Sequence, residues 1–122
     1  MFAEGLRADD PRLHGGMKLL VALRWRHSAT VAIDRSARSF ARLSYGGHAS
    51  FRKTPVRVRF VACRGRARGR RESLPRGMVH SSFFPGDLRV RHVPACVPIT
   101  IRIDRREPVH RAIGLGMHCP ES

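Results

Sequence analysis

The sequence predicts an all-β fold, either a small antiparallel sandwich or a barrel, built from about seven or eight short strands. From Leu19 onward, apolar side chains occupy every second position and polar or small residues stand between them, which is the pattern of half-buried strands. Glycine, proline and other turn residues separate these runs at intervals of roughly 8 to 12 residues. A sustained helical period is absent, and only the segment Asp34 to Phe40 favours a single helical turn.

Four alternating runs form the predicted strands of the first half of the chain. In order, their apolar residues are Leu19, Val21, Leu23 and Trp25; Val31 and Ile33; Ala41, Leu43 and Tyr45; and Val56, Val58 and Phe60. Trp25 is in phase with Leu23, so we expect its ring in the core. The β-branched residues of the fourth run favour a strand over a helix. Arg57 and Arg59 alternate with that run and are therefore expected to face away from the core.

Four further runs follow in the second half. They are Met78 to Phe84; Leu88 and Val90; Val97, Ile99, Ile101 and Ile103; and Val109 to Leu115. Pro98 interrupts the third run and favours an edge position or a bulge, because proline cannot donate a hydrogen bond to a neighbouring strand. The segment Arg105 to Pro108 is short enough to close a hairpin between the last two runs.

The chain length of 122 residues is that of one domain with one core. Residues 1–16 contain no strand or helix period and are predicted to be a flexible lead-in to a single β domain at residues 17–119. Residues 64–76 combine arginines with glycine and proline and are predicted to form a flexible loop. No stretch approaches the roughly 20 apolar residues of a membrane span. Arg24 and Arg26 cut the apolar run after Met17 short, so no signal peptide is recognised.

Positive charge is the unusual feature of the composition. Lysine and arginine number 24 against nine acidic residues, for a net charge of +15, and 22 of the 24 are arginine. A guanidinium binds phosphate bidentately, and neutralising phosphates releases counterions, so this balance predicts a polyanion or nucleic acid as a possible partner. The candidate contacts in the predicted loop are Arg64, Arg66, Arg68, Arg70, Arg71 and Arg76.

The arginine excess could also arise without any partner, in either of two ways. A GC-rich coding sequence favours arginine codons over lysine codons and would load arginine onto solvent-facing positions. A spurious or misannotated reading frame of GC-rich DNA would give the same composition. The scatter of arginines from Arg7 to Arg111 favours codon usage over a dedicated binding tail.

The three cysteines are Cys63, Cys96 and Cys119, an odd count that allows at most one internal disulfide. If the last two runs form a hairpin, Cys96 precedes one arm and Cys119 follows the other, so the two lie together at its open end. We therefore predict a Cys96–Cys119 disulfide in an oxidising compartment. In the chain-entropy model this bond would stabilise the fold by about 3 kcal/mol.

Metal binding and catalysis have weak support in the sequence. Residues that could hold zinc gather in the last third of the chain and are His80, His92, Cys96, His110, His118 and Cys119. They include no paired Cys-x-x-Cys or His-x-x-x-His spacing, so we predict surface histidines and no metal site. The chain also lacks a nucleophile elbow and a phosphate-binding glycine loop, and its carboxylates fall mostly in turns. We therefore predict no catalytic residue and no cofactor.

Three segments of the C-terminal half carry a family resemblance. They are VRFVAC at Val58 to Cys63, ACVPITIRI at Ala95 to Ile103, and AIGLGMHC at Ala112 to Cys119. Together with Ala29 to Tyr45 they resemble small exported β domains of high-GC Gram-positive bacteria. The resemblance implies a compact Ig-like sandwich outside the cytoplasm with no assigned activity, and it carries over no functional residue. The expected function is thus a non-enzymatic structural or interaction domain, with polyanion binding as the alternative.

Overall fold

The computed structural model describes residues 2–3, 16–46, 50–63 and 80–120. Most of the predicted lead-in at residues 1–16 and the whole predicted loop at residues 64–76 lie outside the described residues. The division into a lead-in, one β domain and a loop therefore stays a prediction.

Strands dominate the described part of the chain. They are β1 (Phe2–Ala3), β2 (Gly16–Arg24), β3 (Ser28–Ile33), β4 (Ala41–Ser44), β5 (Arg57–Val61), β6 (Ser81–Phe84), β7 (Asp87–Val90), β8 (Ala95–Ile103) and β9 (Val109–Leu115). Two short 3₁₀ turns, η1 (Arg35–Ala37) and η2 (Phe51–Lys53), flank β4. The first lies within the predicted helical segment, and its N-cap Asp34 accepts a hydrogen bond from the Ser36 amide at 3.0 Å. The second is not predicted by the alternation.

The strands form two antiparallel sheets. In the first sheet the order is β1, β2, β7 and β4, and β6 also pairs with β2. Strands β6 and β7 occupy successive stretches of β2, with Val21 opposite Phe84 and Lys18 opposite Asp87. The second sheet has the order β5, β3, β8 and β9. The predicted all-β antiparallel sandwich is confirmed, and the two separate sheets favour it over the barrel.

The core lies between the two sheets and contains the inward members of each alternating run. Its largest fully buried side chains are Leu19, Ile33, Leu43, Leu88, Ile99, Leu115, Val31 and Val97. Each such side chain contributes roughly 1.5 to 3 kcal/mol when removed from water. The period of two thus sorts the sequence into a buried layer and two outward faces, and those faces carry the polar groups available for function.

Three aromatic rings from the two sheets pack against one another. The buried Phe60 ring lies 4.9 Å from Tyr45 and 5.0 Å from Phe84, measured between ring centroids. The Tyr45 hydroxyl donates to the Leu19 carbonyl, so the polar end of this ring is satisfied. Burial, and next the nearby Asp87 carboxylate, raise the pKa of Tyr45 well above its usual value. Glycine is required at residue 86, because a Cβ there would overlap the Tyr45 ring.

Two predictions about individual positions are wrong. Strand β2 ends at Arg24, so Trp25 lies in the following turn, half-buried, with its ring 5.0 Å from His80 rather than in the core. The chain reverses there through Arg26, whose φ is 70°. Pro98 lies in β8, which is central rather than at an edge.

The position of Pro98 is nevertheless compatible with its missing donor. Pairing between β3 and β8 ends at Ile33 and Ile99, so Pro98 lies just beyond the end of β3. Its carbonyl accepts from the Asp34 amide at 2.9 Å on that side. The nitrogen of a strand residue points the same way as its carbonyl, and here it faces a side where the β3 ladder has ended.

Candidate functional site

The predicted loop contacts cannot be placed. Arg64, Arg66, Arg68, Arg70, Arg71 and Arg76 all lie outside the described residues. The outward direction predicted for Arg57 and Arg59 is confirmed, since both side chains are exposed while their strand neighbour Phe60 is buried. The candidate site is therefore built from the sheet that contains these two arginines.

The outer side of the second sheet forms what we call the basic face. Its outward positions alternate with the core residues of β5, β3, β8 and β9; its arginines are Arg57, Arg59 and Arg102, and it also contains His110. Thr30 stands between Arg59 and Arg102 in one row across the strands. With strands about 4.8 Å apart, the Cα atoms of these two arginines are about 10 Å apart.

The remaining side chains of the basic face are small or weakly polar. They are Ser28, Thr30, Ala32, Val61, Cys96, Pro98, Thr100 and Ala112. None of the outward positions of these four strands is occupied by a carboxylate or by phenylalanine, tyrosine or tryptophan. The His110 ring nitrogen Nδ1 lies 3.1 Å from the Thr100 hydroxyl. The formal charges at the outward positions of these four strands are thus the positive charges of the three arginines.

The acidic residues bordering this face are engaged by their own neighbours. Hydrogen bonds from Ser36, first from its side chain and then from its backbone, lower the pKa of Asp34. A side-chain hydrogen bond with His27, and next the Ser28 amide, lower the pKa of Asp104. Both carboxylates are therefore held ionised at the ends of the sheet, outside the rows of arginines.

The disulfide lies at the end of this sheet where β8 begins and β9 ends. Cys96 and Cys119 are bonded, with their Cα atoms 5.4 Å apart, and this is the pair that the hairpin predicts. Cys96 is opposite Gly114 in the β8–β9 register, and a Cβ at Gly114 would overlap the Met117 carbonyl. The segment after β9 therefore crosses above Gly114 to reach Cys96, which requires glycine there. The described free cysteine is Cys63, which is exposed.

The histidines and cysteines considered as zinc ligands have separate surroundings. Within the residues that the structure describes, no three His, Cys, Asp or Glu side chains are grouped so as to hold a metal ion. Cys96 and Cys119 are bonded to each other. The ring of His80 packs against Trp25, and that of His92 lies 5.1 Å from Phe40.

An apolar groove of about 440 Å³ opens beside the β8–β9 hairpin. Its lining is Leu19, Ile99, Ile101, Ile103, Val109, Arg111, Ala112 and Ile113. Ile103 is 37% exposed and Val109 is 42% exposed, since the ends of both strands extend past the buried core. Among the described residues that line it, Arg111 is the one ionisable group, and the others are apolar. The alternation predicted these strands but not that their ends would be left uncovered.

Among the described residues, no helix has the length and apolarity needed to cross a membrane. Comparison with known proteins gives no match to a family model, to a curated protein or to a solved structure. The class that the fold and site define is an antiparallel β-sandwich whose second sheet has a basic outer face.

Proposed function

We propose that this chain is a non-enzymatic interaction domain that binds polyanions through its basic face. The observation that supports the proposal is the charge of that face: Arg57 and Arg59 on β5 and Arg102 on β8 flank β3, with no carboxylate among the outward side chains of these strands. Like charges this close repel one another, and a bound polyanion would relieve the repulsion. The loop arginines at residues 64–76 follow shortly after β5 in the sequence and are included in the proposal as further contacts.

The expected mode of binding follows from what the face offers. Each guanidinium presents a planar fork of donors that fits phosphate oxygens, and Thr30 adds a hydroxyl between Arg59 and Arg102. Sequence-specific recognition of single strands depends on aromatic platforms, which the outward positions of these strands do not provide. Binding should therefore depend on charge and be insensitive to base sequence.

We also propose that the protein acts outside the cytoplasm. Disulfides persist in oxidising compartments and are rare in the cytosol. The Cys96–Cys119 bond therefore supports a place of action outside the cytoplasm. We further propose that the chain is one of the exported, Ig-like domains that its C-terminal segments resemble.

Salt dependence of binding tests this function. We would measure the affinity for a DNA duplex and for inorganic polyphosphate between about 50 and 200 mM salt, where the log–log slope is about −0.9 per phosphate neutralised. The double variant Arg57→Gln, Arg59→Gln should reduce the magnitude of the slope by about 1.8, which corresponds to two phosphate contacts.

A charge-matched control separates the basic face from the net charge. Arg24→Gln, Arg35→Gln removes the same charge from two exposed arginines outside that face, and it should leave the slope close to that of the parent chain. Equal weakening by both double variants would mean that net charge alone attracts polyanions. Absence of binding at low salt would contradict the proposed function.

A further inference from the structure

Two guanidinium groups contact a single phenyl ring on the outer side of the first sheet. The guanidinium carbon of Arg42 lies 4.6 Å from the centroid of the Phe51 ring, and that of Arg91 lies 4.3 Å from the same centroid. Both distances are within the roughly 6 Å over which a cation is attracted to an aromatic face. The Phe51 ring thus contacts two cationic side chains that come from different strands or connections.

The sheet register explains why these residues meet. Arg42 of β4 is directly opposite Arg89 of β7, and Arg91 follows Arg89 by two residues. The Arg91 amide donates to the Phe40 carbonyl at 2.9 Å, which continues the contact between the two segments beyond β7. Phe51 begins η2 in the connection from β4 to β5, and this connection brings its ring to the two arginines.

Backbone carbonyls orient the guanidinium of Arg42 without neutralising its charge. Nη1 of Arg42 donates to the Arg38 carbonyl and, at 2.8 Å, to the Ala41 carbonyl. Within the described part of the chain, neither Arg42 nor Arg91 forms a salt bridge. The acid nearest to them in the register is Asp87, which is opposite Ser44 rather than Arg42.

The burial of the cluster favours a compact surface ligand. Arg42 and Phe51 are half-buried, whereas Arg91 is exposed. Two positive charges near one partly buried ring repel each other, and an anion bound to both would offset that repulsion. Five donors on each guanidinium, of which Arg42 uses only those of one nitrogen for the carbonyls, leave hydrogen atoms for the oxygens of such an anion.

We propose that Arg42 and Arg91, held by Phe51, form a binding site for a tetrahedral oxyanion, that is, a phosphate or sulfate group. The forked guanidinium fits two oxygens of such a group at once. This site is separate from the basic face, because the outer sides of the two sheets are on opposite sides of the sandwich. The site at Arg42 and Arg91 would bind a single compact anionic group, whereas the basic face would bind a chain of charged groups.

The test is a titration of the full chain with inorganic phosphate at constant ionic strength. The Nε–Hε resonances of Arg42 and Arg91 should shift in a saturable manner, while that of the exposed Arg24 should not. Parallel titrations with sulfate and with a small phosphate monoester distinguish free inorganic anion from an esterified phosphate as the preferred form. Shifts that do not saturate, or that are equal at Arg24, would overturn the proposal.

Substitutions at Arg91 and Phe51 test which side chains contribute to phosphate binding. Arg91→Gln should weaken phosphate binding about tenfold or more, since it removes charge-assisted hydrogen bonds. Phe51→Leu keeps both charges and an apolar side chain but removes the ring, and it should weaken binding several-fold. A thermal melt of each variant verifies that the sandwich is intact. Unchanged affinity in Arg91→Gln would count against this site.

Control variants keep this site distinct from the proposed function. Arg57→Gln on the basic face should leave phosphate binding at Arg42 and Arg91 unchanged. Conversely, Arg91→Gln should change the salt slope for duplex DNA far less than the double variant on the basic face. Failure of one site with success of the other would therefore be visible in the same set of proteins.

Discussion

The His27 ring and the Asp104 carboxylate join two chain reversals that are far apart in the sequence, with Nδ1 of His27 2.6 Å from Oδ2 of Asp104. His27 precedes β3, and Asp104 follows β8 with a φ of 53°. The second carboxylate oxygen accepts from the Ser28 amide at 2.9 Å, and the Asp104 amide donates to the Ser28 carbonyl at 2.8 Å. An ionised carboxylate can only accept, so His27 is the donor. These bonds extend the β3–β8 ladder beyond its last paired residues.

Replacement of Asp104 should lower the melting temperature. Asp104→Asn tolerates the left-handed backbone and keeps one oxygen acceptor, but it removes the negative charge. It should therefore lower the melting temperature only moderately. Asp104→Ala removes all acceptors and also strains the backbone at positive φ, and it should lower the melting temperature further. Thermal melts give the order. Glu107→Gln, an exposed acid in the same connection, is the control and should have little effect.

The same carboxylate should make the sandwich sensitive to acid. The pKa of Asp104 is lowered in the folded chain, first by the His27 hydrogen bond and then by the Ser28 amide. Its stabilising effect is therefore complete above the unfolded pKa of about 3.9 and is lost as the pH falls through the lower folded value. Melts recorded at decreasing pH should show a smaller acid loss in Asp104→Asn. An equal loss in both proteins would assign the acid sensitivity to other carboxylates, such as Asp34.

Loss of the disulfide should destabilise the chain. The bond links cysteines 23 residues apart, for which the chain-entropy model gives about 3 kcal/mol. Urea unfolding with and without reductant measures this difference. The mass difference of two hydrogens should vanish in Cys96→Ser and Cys119→Ser but persist in Cys63→Ser. Persistence in either of the first two variants would contradict the pairing.

Circular dichroism tests whether the reading frame encodes a folded protein. A cooperative β-type circular dichroism signal that melts earlier after reduction is expected of a folded, disulfide-linked domain. A coil spectrum without a melt would instead indicate a spurious frame or a chain that folds only on an anion. Addition of polyphosphate then distinguishes these two cases, because only the second would gain structure.

Tyr45→Phe should destabilise the sandwich by about 1 kcal/mol, the usual net value of one hydrogen bond. The variant keeps the ring contacts with Phe60 but leaves the Leu19 carbonyl without the hydroxyl donor. Burial, followed by Asp87, raises the pKa of Tyr45, so the parent chain should lose stability as the pH rises above the unfolded value of about 10. The variant should lack this part of the alkaline loss in melts at increasing pH. Identical alkaline profiles would contradict the assignment.

Substitution of Gly114 tests the crossing of the chain above β9. A Cβ at this position would overlap the Met117 carbonyl, so Gly114→Ala must displace the segment that leads to Cys119. We expect a lower melting temperature and faster reduction of the disulfide, followed with a thiol reagent. Ala112→Ser, on the same face of β9 with no such overhead segment, is the control. Normal stability and reduction in Gly114→Ala would mean that the segment takes another path.

Much of the β architecture could be predicted from local pattern. The eight predicted runs overlap β2 to β9, and the alternation gave the correct inward side for most of them, whereas β1 was not predicted. Trp25 was misassigned because a period of two cannot reveal where the chain leaves the strand. Pro98 was misassigned to an edge because its effect depends on where β3 ends, which is a feature of a different part of the chain.

The candidate sites could be predicted from the sequence only in part. The outward direction of Arg57 and Arg59 follows from their strand alone, but their row with Arg102 depends on β3 standing between β5 and β8. The contact of Arg42 and Arg91 with Phe51 joins three segments with no common motif. Likewise, the groove exists because the ends of β8 and β9 reach past the core, and no residue type in those strands signals this.

The sequence by itself determined the strands, their buried sides and the hairpin that unites Cys96 with Cys119. These features depend on side chains only a few residues apart and on one short turn, so a local pattern is sufficient to specify them. Only the tertiary structure decided the strand order, the assembly of the basic face and the contact of Arg42 and Arg91 with Phe51. Those depend on which distant strands pair and in what register, and that choice is made by the packing of the whole core.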